Sequence, residues 1–185
     1  MVMERHRWSQ LDYYEGLIKG VTIPRDFLKF RILEKYILKE RKSSNPRDYS
    51  YDDYKIPFGI YCAWIQDYIR DHFNVAHKKI LHPLDWWGNV YRPFERSHTR
   101  HTVKSQDLTN SGDYTWVYCI DVQPNSCELV IEYDDKRIKD NTWHFPLENN
   151  KYILFPATQR YFISQNKSME NNVFLTTVCQ SLERV

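Results

Sequence analysis

Residues 114–133, YTWVYCIDVQPNSCELVIEY, decide the fold of this chain. β-Branched and aromatic side chains fill residues 114–122 and 127–133, and such residues favour strands buried in a sheet. Between them, residues 123–126 (QPNS) contain proline, asparagine and serine, which are typical of a tight turn. The pattern predicts two antiparallel strands that pair with each other across this turn.

Strand patterns continue on both sides of this segment, from about residue 80 to the end of the chain. Apolar and polar residues alternate over short runs separated by turn-forming residues, which is typical of antiparallel sandwiches and barrels. The further predicted strands are residues 87–92, 142–145, 151–155, 161–164 and 173–179. Together these runs predict a core of about eight antiparallel strands.

Before residue 80 the apolar residues recur at intervals of three and four, which predicts amphipathic helices. The runs occupy residues 9–18, 26–42 and 57–73. We therefore expect an α+β fold in which three N-terminal helices pack on one face of an antiparallel β core. Residues 1–80 would form the helical region and residues 81–185 the β core, within one folding unit.

The composition excludes several classes of function. Lys and Arg number 26 against 24 Asp and Glu, a net charge of +2, so a nucleic-acid binder that neutralises phosphates is not expected. No apolar stretch approaches the roughly 18 residues of a membrane span, and the N-terminus lacks the apolar segment of a signal peptide. The cysteines form no CxxC motif and are expected to be reduced core residues: Cys62, Cys119, Cys127 and Cys179.

Three segments carry a resemblance to a known family. They are residues 89–95 (NVYRPFE), 114–130 (YTWVYCIDVQPNSCELV) and 151–157 (KYILFPA). In this order and spacing they resemble the double-stranded β-helix of Fe(II)/2-oxoglutarate-dependent oxygenases, and above all the small members encoded by contractile-tailed bacteriophages. The resemblance implies a jelly-roll core behind the three helices.

The resemblance also implies where a metal centre would lie. The family holds Fe(II) with two histidines and one carboxylate, which leaves positions free for 2-oxoglutarate and oxygen. The matching positions in this chain are His101, Val103 and Tyr161. Only the first can act as the family's ligand, and residues 171–178 contain no Arg or Lys to bind the far carboxylate of 2-oxoglutarate. Phe94 and Cys127 stand where the family has glycine, so the resemblance implies a retained fold without catalytic or cofactor-binding residues.

A different register leaves an alternative open. His98 or His101 could combine with Asp107 and His144 to hold Fe(II), with 2-oxoglutarate as cosubstrate. The protein would then be an active hydroxylase with an atypical metal triad. A metal-free barrel that binds a small sugar or nucleotide in its mouth is a third hypothesis.

Candidate interaction residues are basic or aromatic. Arg92, Arg96 and Arg100 recur every four positions, which in a strand would place them on one face. They could dock an acidic partner surface, but an ordinary solvated face is the simpler interpretation. The aromatic candidates, of types enriched at interfaces, are Trp86, Trp87, Tyr49, Tyr51 and Tyr54.

From the resemblance and the lost triad we expect a structural or interaction subunit of a phage particle, in the tail, neck or baseplate region. It would be made in the host cytoplasm, reside in the virion, and contact other protein subunits rather than nucleic acid or membrane.

Overall fold

The computed structural model describes residues 4–8, 11–18, 63–77, 79–97, 99, 102, 111–135 and 138–183. Within these residues the chain forms nine strands and one helix. In chain order they are β1 (Glu4–Trp8), β2 (Leu11–Leu17), α1 (Ala63–His77), β3 (Lys79–Tyr91), β4 (Tyr114–Asp121), β5 (Glu128–Asp135), β6 (Ile138–Pro146), β7 (Lys151–Pro156), β8 (Arg160–Ile163) and β9 (Asn172–Glu183). Among these residues no helix is both long and apolar enough to cross a membrane.

The strands form two antiparallel sheets that face each other. The larger sheet has the order β1-β2-β7-β4-β9-β3, and the smaller sheet has the order β6-β5-β8. All the pairings between these strands are antiparallel. A mostly β fold of this kind is the jelly-roll architecture that the sequence predicts from residue 80 onward.

The predicted pairing across residues 123–126 is wrong. The turn forms, since the Ser126 N–H donates to the Gln123 carbonyl at 3.1 Å, but β4 and β5 lie in different sheets. Six consecutive residues of β4 are buried because the strand lies between β7 and β9 and is covered on both faces. The four-residue turn therefore carries the chain from the larger sheet to the smaller one.

Apolar side chains cover both faces of the larger sheet. On one face α1 presents Ile65, Ile69 and Phe73, which are fully buried at helical spacing against the sheet. The other face meets the smaller sheet in a second cluster of buried residues. In β9, for example, Leu175 belongs to the helix-facing cluster and Phe174 to the cluster between the sheets, as strand alternation requires.

The prediction of three N-terminal helices is wrong for the first of them. Within residues 9–18, the residues 11–17 form strand β2, which pairs with β7. The two adjacent tyrosines explain the error, because each packs on a different face of the sheet: the Tyr14 ring lies 5.1 Å from Phe73, and the Tyr13 ring lies 4.7 Å from Phe145. The third predicted helix is present as α1, although it ends four residues beyond Phe73. The second, residues 26–42, lies outside the described residues.

Candidate functional site

The described residues pack closely in the space between the two sheets, where a jelly roll of this kind would hold a cofactor. A cavity of about 10 Å³ remains there, lined by Asn89, Tyr91, Val117, Tyr161, Ile163, Phe174 and Thr176. A volume of this size holds at most about one water molecule. Among the described residues the interior is therefore a close-packed core.

Aromatic rings occupy part of this interior. Tyr161 is 4% exposed, and its ring centre lies 5.1 Å from that of Phe155. The Tyr91 and Phe174 rings lie 5.6 Å apart on the neighbouring strands β3 and β9. Contacts at these distances are typical of aromatic pairs in protein cores.

One polar feature remains beside the cavity. Asn89 is 4% exposed, and its Oδ1 accepts a hydrogen bond from the Thr176 hydroxyl at 3.2 Å. The Asn89 Nδ2 has no hydrogen-bond partner among the residues that the structure describes. An amide donor beside a water-sized cavity suits one bound water molecule, which would satisfy this donor.

The chain after β3 runs beside β8, the strand that carries Tyr161. The Ser97 N–H donates to the Ile163 carbonyl at 3.0 Å, and the Ile163 N–H donates to the Ser97 hydroxyl at 2.7 Å. Further along, the Thr102 N–H donates to the Ala157 carbonyl at 3.3 Å. Ser97 therefore lies beside the strand of Tyr161, and Thr102 lies beside Ala157, which precedes that strand. The other family positions and rescue candidates of this region, His98, His101, Val103 and Asp107, lie outside the described residues.

His144 lies away from this interior. Its side chain is 53% exposed, and its Nδ1 lies 2.8 Å from the Glu128 Oε2. The adjacent Phe145 points into the core between the sheets, so the His144 side chain points to the opposite, outer face of β6. The structure does not bring His144 and Tyr161 together, and the described residues contain no group of three His, Cys, Asp or Glu side chains suited to a metal ion.

The loop after β3 retains the backbone of a glycine position. Phe94, which stands where the family has glycine, has a φ of 68°, in the left-handed region that non-glycine residues rarely adopt. The loop is closed by Glu95, which is 2% exposed and accepts from the Arg92 N–H at 2.8 Å and the Arg92 Nε at 3.2 Å. The turn at position 94 therefore has the backbone conformation that suits glycine, although its residue is phenylalanine.

This turn also corrects the predicted basic stripe. β3 ends at Tyr91, and Pro93 and Phe94 form a turn. Arg92 and Arg96 are therefore not on one strand, and their spacing of four does not place them on a common face. Arg92 forms an ion pair with Glu95, whereas Arg96 is exposed; Arg100 lies outside the described residues.

The candidate aromatic residues differ in exposure. Trp86 is 40% exposed and Trp87 is 5% exposed, because neighbouring residues of β3 point to opposite faces of the sheet. Trp87 is therefore a core residue, and only Trp86 is accessible to a partner. Tyr49, Tyr51 and Tyr54 lie outside the described residues.

The buried cysteines are not nucleophiles. Cys119, Cys127 and Cys179 are free and buried. Burial raises the pKa of Cys127 to about 11, and it also raises the pKa of Cys119 and of Cys179 well above the usual value. These thiols are therefore protonated at neutral pH and behave as small apolar core groups.

Sequence reasoning missed Asn166, which organises the end of the barrel beyond β8. Its side chain is completely buried, and its Nδ2 donates to the carbonyls of Tyr91 at 3.1 Å and Glu170 at 2.7 Å. Its Oδ1 accepts from the N–H and the hydroxyl of Ser168 at 3.0 and 2.7 Å. The only available signal is the polar run of residues 164–172, which resembles any surface loop.

No protein-family model matches the sequence, and no curated protein matches it. Solved structures do match. A prolyl-4-hydroxylase from Pseudomonas putida is 13% identical, with a TM-score of 0.58 over 94% of this chain and 93% of that chain. The viral collagen prolyl hydroxylase from Paramecium Bursaria Chlorella virus-1 is 12% identical, with a TM-score of 0.62 over 90% of this chain and 94% of that chain.

A third similar structure is the non-heme alpha ketoglutarate dependent epimerase SnoN from nogalamycin biosynthesis. It is 11% identical, with a TM-score of 0.62 over 94% of this chain and 80% of that chain. The chain therefore has an oxygenase-like fold. At these identities the likeness concerns the fold alone, and activity must be argued from the site.

Proposed function

We propose that this protein is a non-catalytic barrel of the Fe(II)/2-oxoglutarate oxygenase fold that acts as a structural or interaction subunit of a phage particle. The observation that carries the proposal is the filled interior. Ligand pockets commonly measure about 300–1,000 Å³, whereas the cavity that the described residues enclose between the sheets measures about 10 Å³. A dicarboxylate has no room in this cavity without displacement of Tyr91, Tyr161 or Phe174.

The chemistry of the lining supports the same conclusion. A buried carboxylate needs a cationic or hydrogen-bonding partner to offset its lost hydration. The cavity is lined by aromatic and aliphatic side chains whose polar groups are one amide, one threonine hydroxyl and two tyrosine hydroxyls, with no cation, and β9 carries no Lys or Arg. This lining supports a barrel that holds neither 2-oxoglutarate nor Fe(II).

The assignment to a phage particle rests on the resemblance of residues 89–95, 114–130 and 151–157 to the phage-encoded oxygenase-like proteins. A barrel without its metal chemistry is still a rigid scaffold with loops that can contact other subunits. Of the large apolar side chains in the described residues, Phe94 and Met169 are 49% and 76% exposed. Their exposure supports a role in protein contacts.

An active hydroxylase with an atypical triad is the alternative. It is favoured by the position of Ser97 beside the strand of Tyr161, and by the oxygenase-like fold. It requires Asp107 or another carboxylate to complete the metal site, and it requires Tyr161 to leave the interior or to become a ligand.

A turnover assay separates the two functions. The purified full chain is incubated with Fe(II), ascorbate, oxygen and 2-oxoglutarate, and the succinate formed is measured beside a sample without iron. We expect no succinate above this control, and no difference between the parent and His101→Ala. Iron-dependent succinate that His101→Ala abolishes would refute the proposal and establish the alternative.

A further inference from the structure

We propose that a surface at one end of the barrel binds a second copy of this chain about a two-fold axis. The surface, which we term the 94/169 patch, consists of the exposed side chains of Phe94, Lys167, Met169 and Glu170. The inference rests on the proposed structural role and deepens it, because it names a partner.

Two loops bring the patch together. The Phe94 N–H donates to the Asn166 carbonyl at 2.8 Å, and the Gln165 Nε2 donates to the Phe94 carbonyl at 2.9 Å. Phe94 is 49% exposed, and Met169, three residues after Asn166, is 76% exposed. Two of the largest exposed apolar side chains in the described residues therefore stand on loops that are hydrogen bonded to each other.

Hydrogen bonds of Asn166 fix the backbone of the patch in the unbound chain. The buried Asn166 side chain bonds the carbonyl of Glu170 and both polar groups of Ser168, so it fixes the turn that carries Met169. The Asn166 N–H also donates to the Glu95 carbonyl at 2.8 Å, which ties this turn to the loop of Phe94. A surface fixed in this way loses little conformational entropy on association.

Phe94 has an unfavourable backbone conformation, whereas its exposed ring is available for contact with a partner. A φ of 68° is unfavourable for any side chain with a Cβ, and glycine would remove that strain. Phe94 leaves about half of its side chain exposed, so burial within the chain offsets the strain only in part. Strained residues of this kind cluster at functional sites such as ligand clamps and switch regions.

The charges of the patch favour a second copy over a different partner. Lys167 and Glu170 have opposite signs, are both exposed, and flank Met169. Neither forms an ion pair within the part of the chain that the structure describes. A two-fold axis through the patch would place Lys167 of each copy against Glu170 of the other, with Phe94 and Met169 between them. Such self-complementarity is the property that an isologous dimer contact requires.

Sedimentation velocity of the purified full chain tests this inference, over about 1–500 µM, which spans micromolar dissociation constants. We expect a dimer that forms with rising concentration. Phe94→Gly should weaken it at least about tenfold, because each dimer loses two central anchors. Lys167→Glu and Glu170→Lys should each weaken it about tenfold, since each turns two attractions into two repulsions.

The double variant Lys167→Glu/Glu170→Lys is the matched control. It carries the same net charge as the parent and recreates both interchain pairs with reversed signs, so it should restore the parent's dimerisation. A monomer throughout the concentration range, or a double variant as weak as the single variants, would overturn the inference. Neither result bears on succinate formation, so failure of this inference is distinguishable from failure of the proposed function.

Discussion

Truncation of Phe174 to alanine measures how far the interior of the barrel acts as a core. Phe174 is 1% exposed and lies on β9 opposite Asn89 of β3 and Cys119 of β4. Large-to-small changes of a buried phenylalanine cost about 3–5 kcal/mol. We expect Phe174→Ala to lower the free energy of unfolding by about 4 kcal/mol. The new void joins the existing cavity, and the interdigitated strands around this void cannot close it.

Guanidinium unfolding followed by tryptophan fluorescence gives the value. With a denaturant dependence of about 4 kcal/mol per molar, a loss of 4 kcal/mol lowers the unfolding midpoint by about 1 M. The denaturant dependence itself should not change. A space built to hold a ligand would tolerate a smaller side chain at its wall, so a loss of stability below about 1 kcal/mol would refute the reasoning.

Phe94→Gly is the control for Phe174→Ala, because it removes a phenylalanine ring that is half-exposed rather than buried. Relief of the left-handed backbone strain contributes about 1–2 kcal/mol. Loss of the half-buried ring costs about 1 kcal/mol, and the greater freedom of glycine in the unfolded chain costs about 0.5–1 kcal/mol. We therefore expect the free energies of unfolding of Phe94→Gly and of the parent to agree within about 1 kcal/mol.

Three further predictions concern single residues. The unfolded Cys127 thiol ionises near its usual pKa of 9, while in the native state burial raises that pKa to about 11. Ionisation of this thiol in the unfolded state therefore lowers the free energy of unfolding between pH 9 and 11 by up to about 1.4 kcal/mol per pH unit. Cys127→Ala should flatten this decline, as measured by urea unfolding at each pH. Identical pH profiles for Cys127→Ala and the parent would contradict this prediction. Asn166→Ala should cost about 2–4 kcal/mol in thermal unfolding, since it leaves several backbone groups without partners, whereas the exposed Gln165→Ala should cost under about 1 kcal/mol; equal losses would contradict the role of Asn166. His144→Ala should change urea stability by less than about 1 kcal/mol, because its contact with Glu128 is exposed; a larger loss would show that the pair is buried in solution.

Most strands could be predicted from the sequence because they consist of the apolar, β-branched and aromatic residues that buried strands favour. The strands predicted at 151–155 and 161–164 are observed as Lys151–Pro156 and Arg160–Ile163. Which strands pair could not be predicted in the same way. A turn of four residues is compatible with a hairpin or with a change of sheet, and the choice depends on long-range contacts with β7 and β9 that leave no local pattern.

The N-terminal strands were missed for a related reason. The apolar residues of 9–18 are spaced as on one face of a helix. In β2, however, they pack on both faces of the sheet, because both faces are covered. Helix and strand patterns coincide when both faces of a short segment are buried. The turn at Phe94 shows the opposite case: the resemblance indicated a glycine position, and the left-handed backbone is present although the glycine is not.

The filled interior could be anticipated only in part. Tyr161 is a poor substitute for a histidine ligand on chemical grounds alone. That its ring packs against Phe155, and that Tyr91 and Phe174 fill the space beside it, depends on how strands from two sheets meet. Sequence spacing does not contain that information.

The most direct test of the central claim is the binding of 2-oxoglutarate to the full chain by anaerobic isothermal titration calorimetry, with and without Fe(II). If the space between the sheets is a packed core, neither titration gives saturable heat, and Tyr161→His gives none either. Near-stoichiometric binding that depends on Fe(II) would contradict the account, because the cofactor could enter only if the aromatic side chains left the interior.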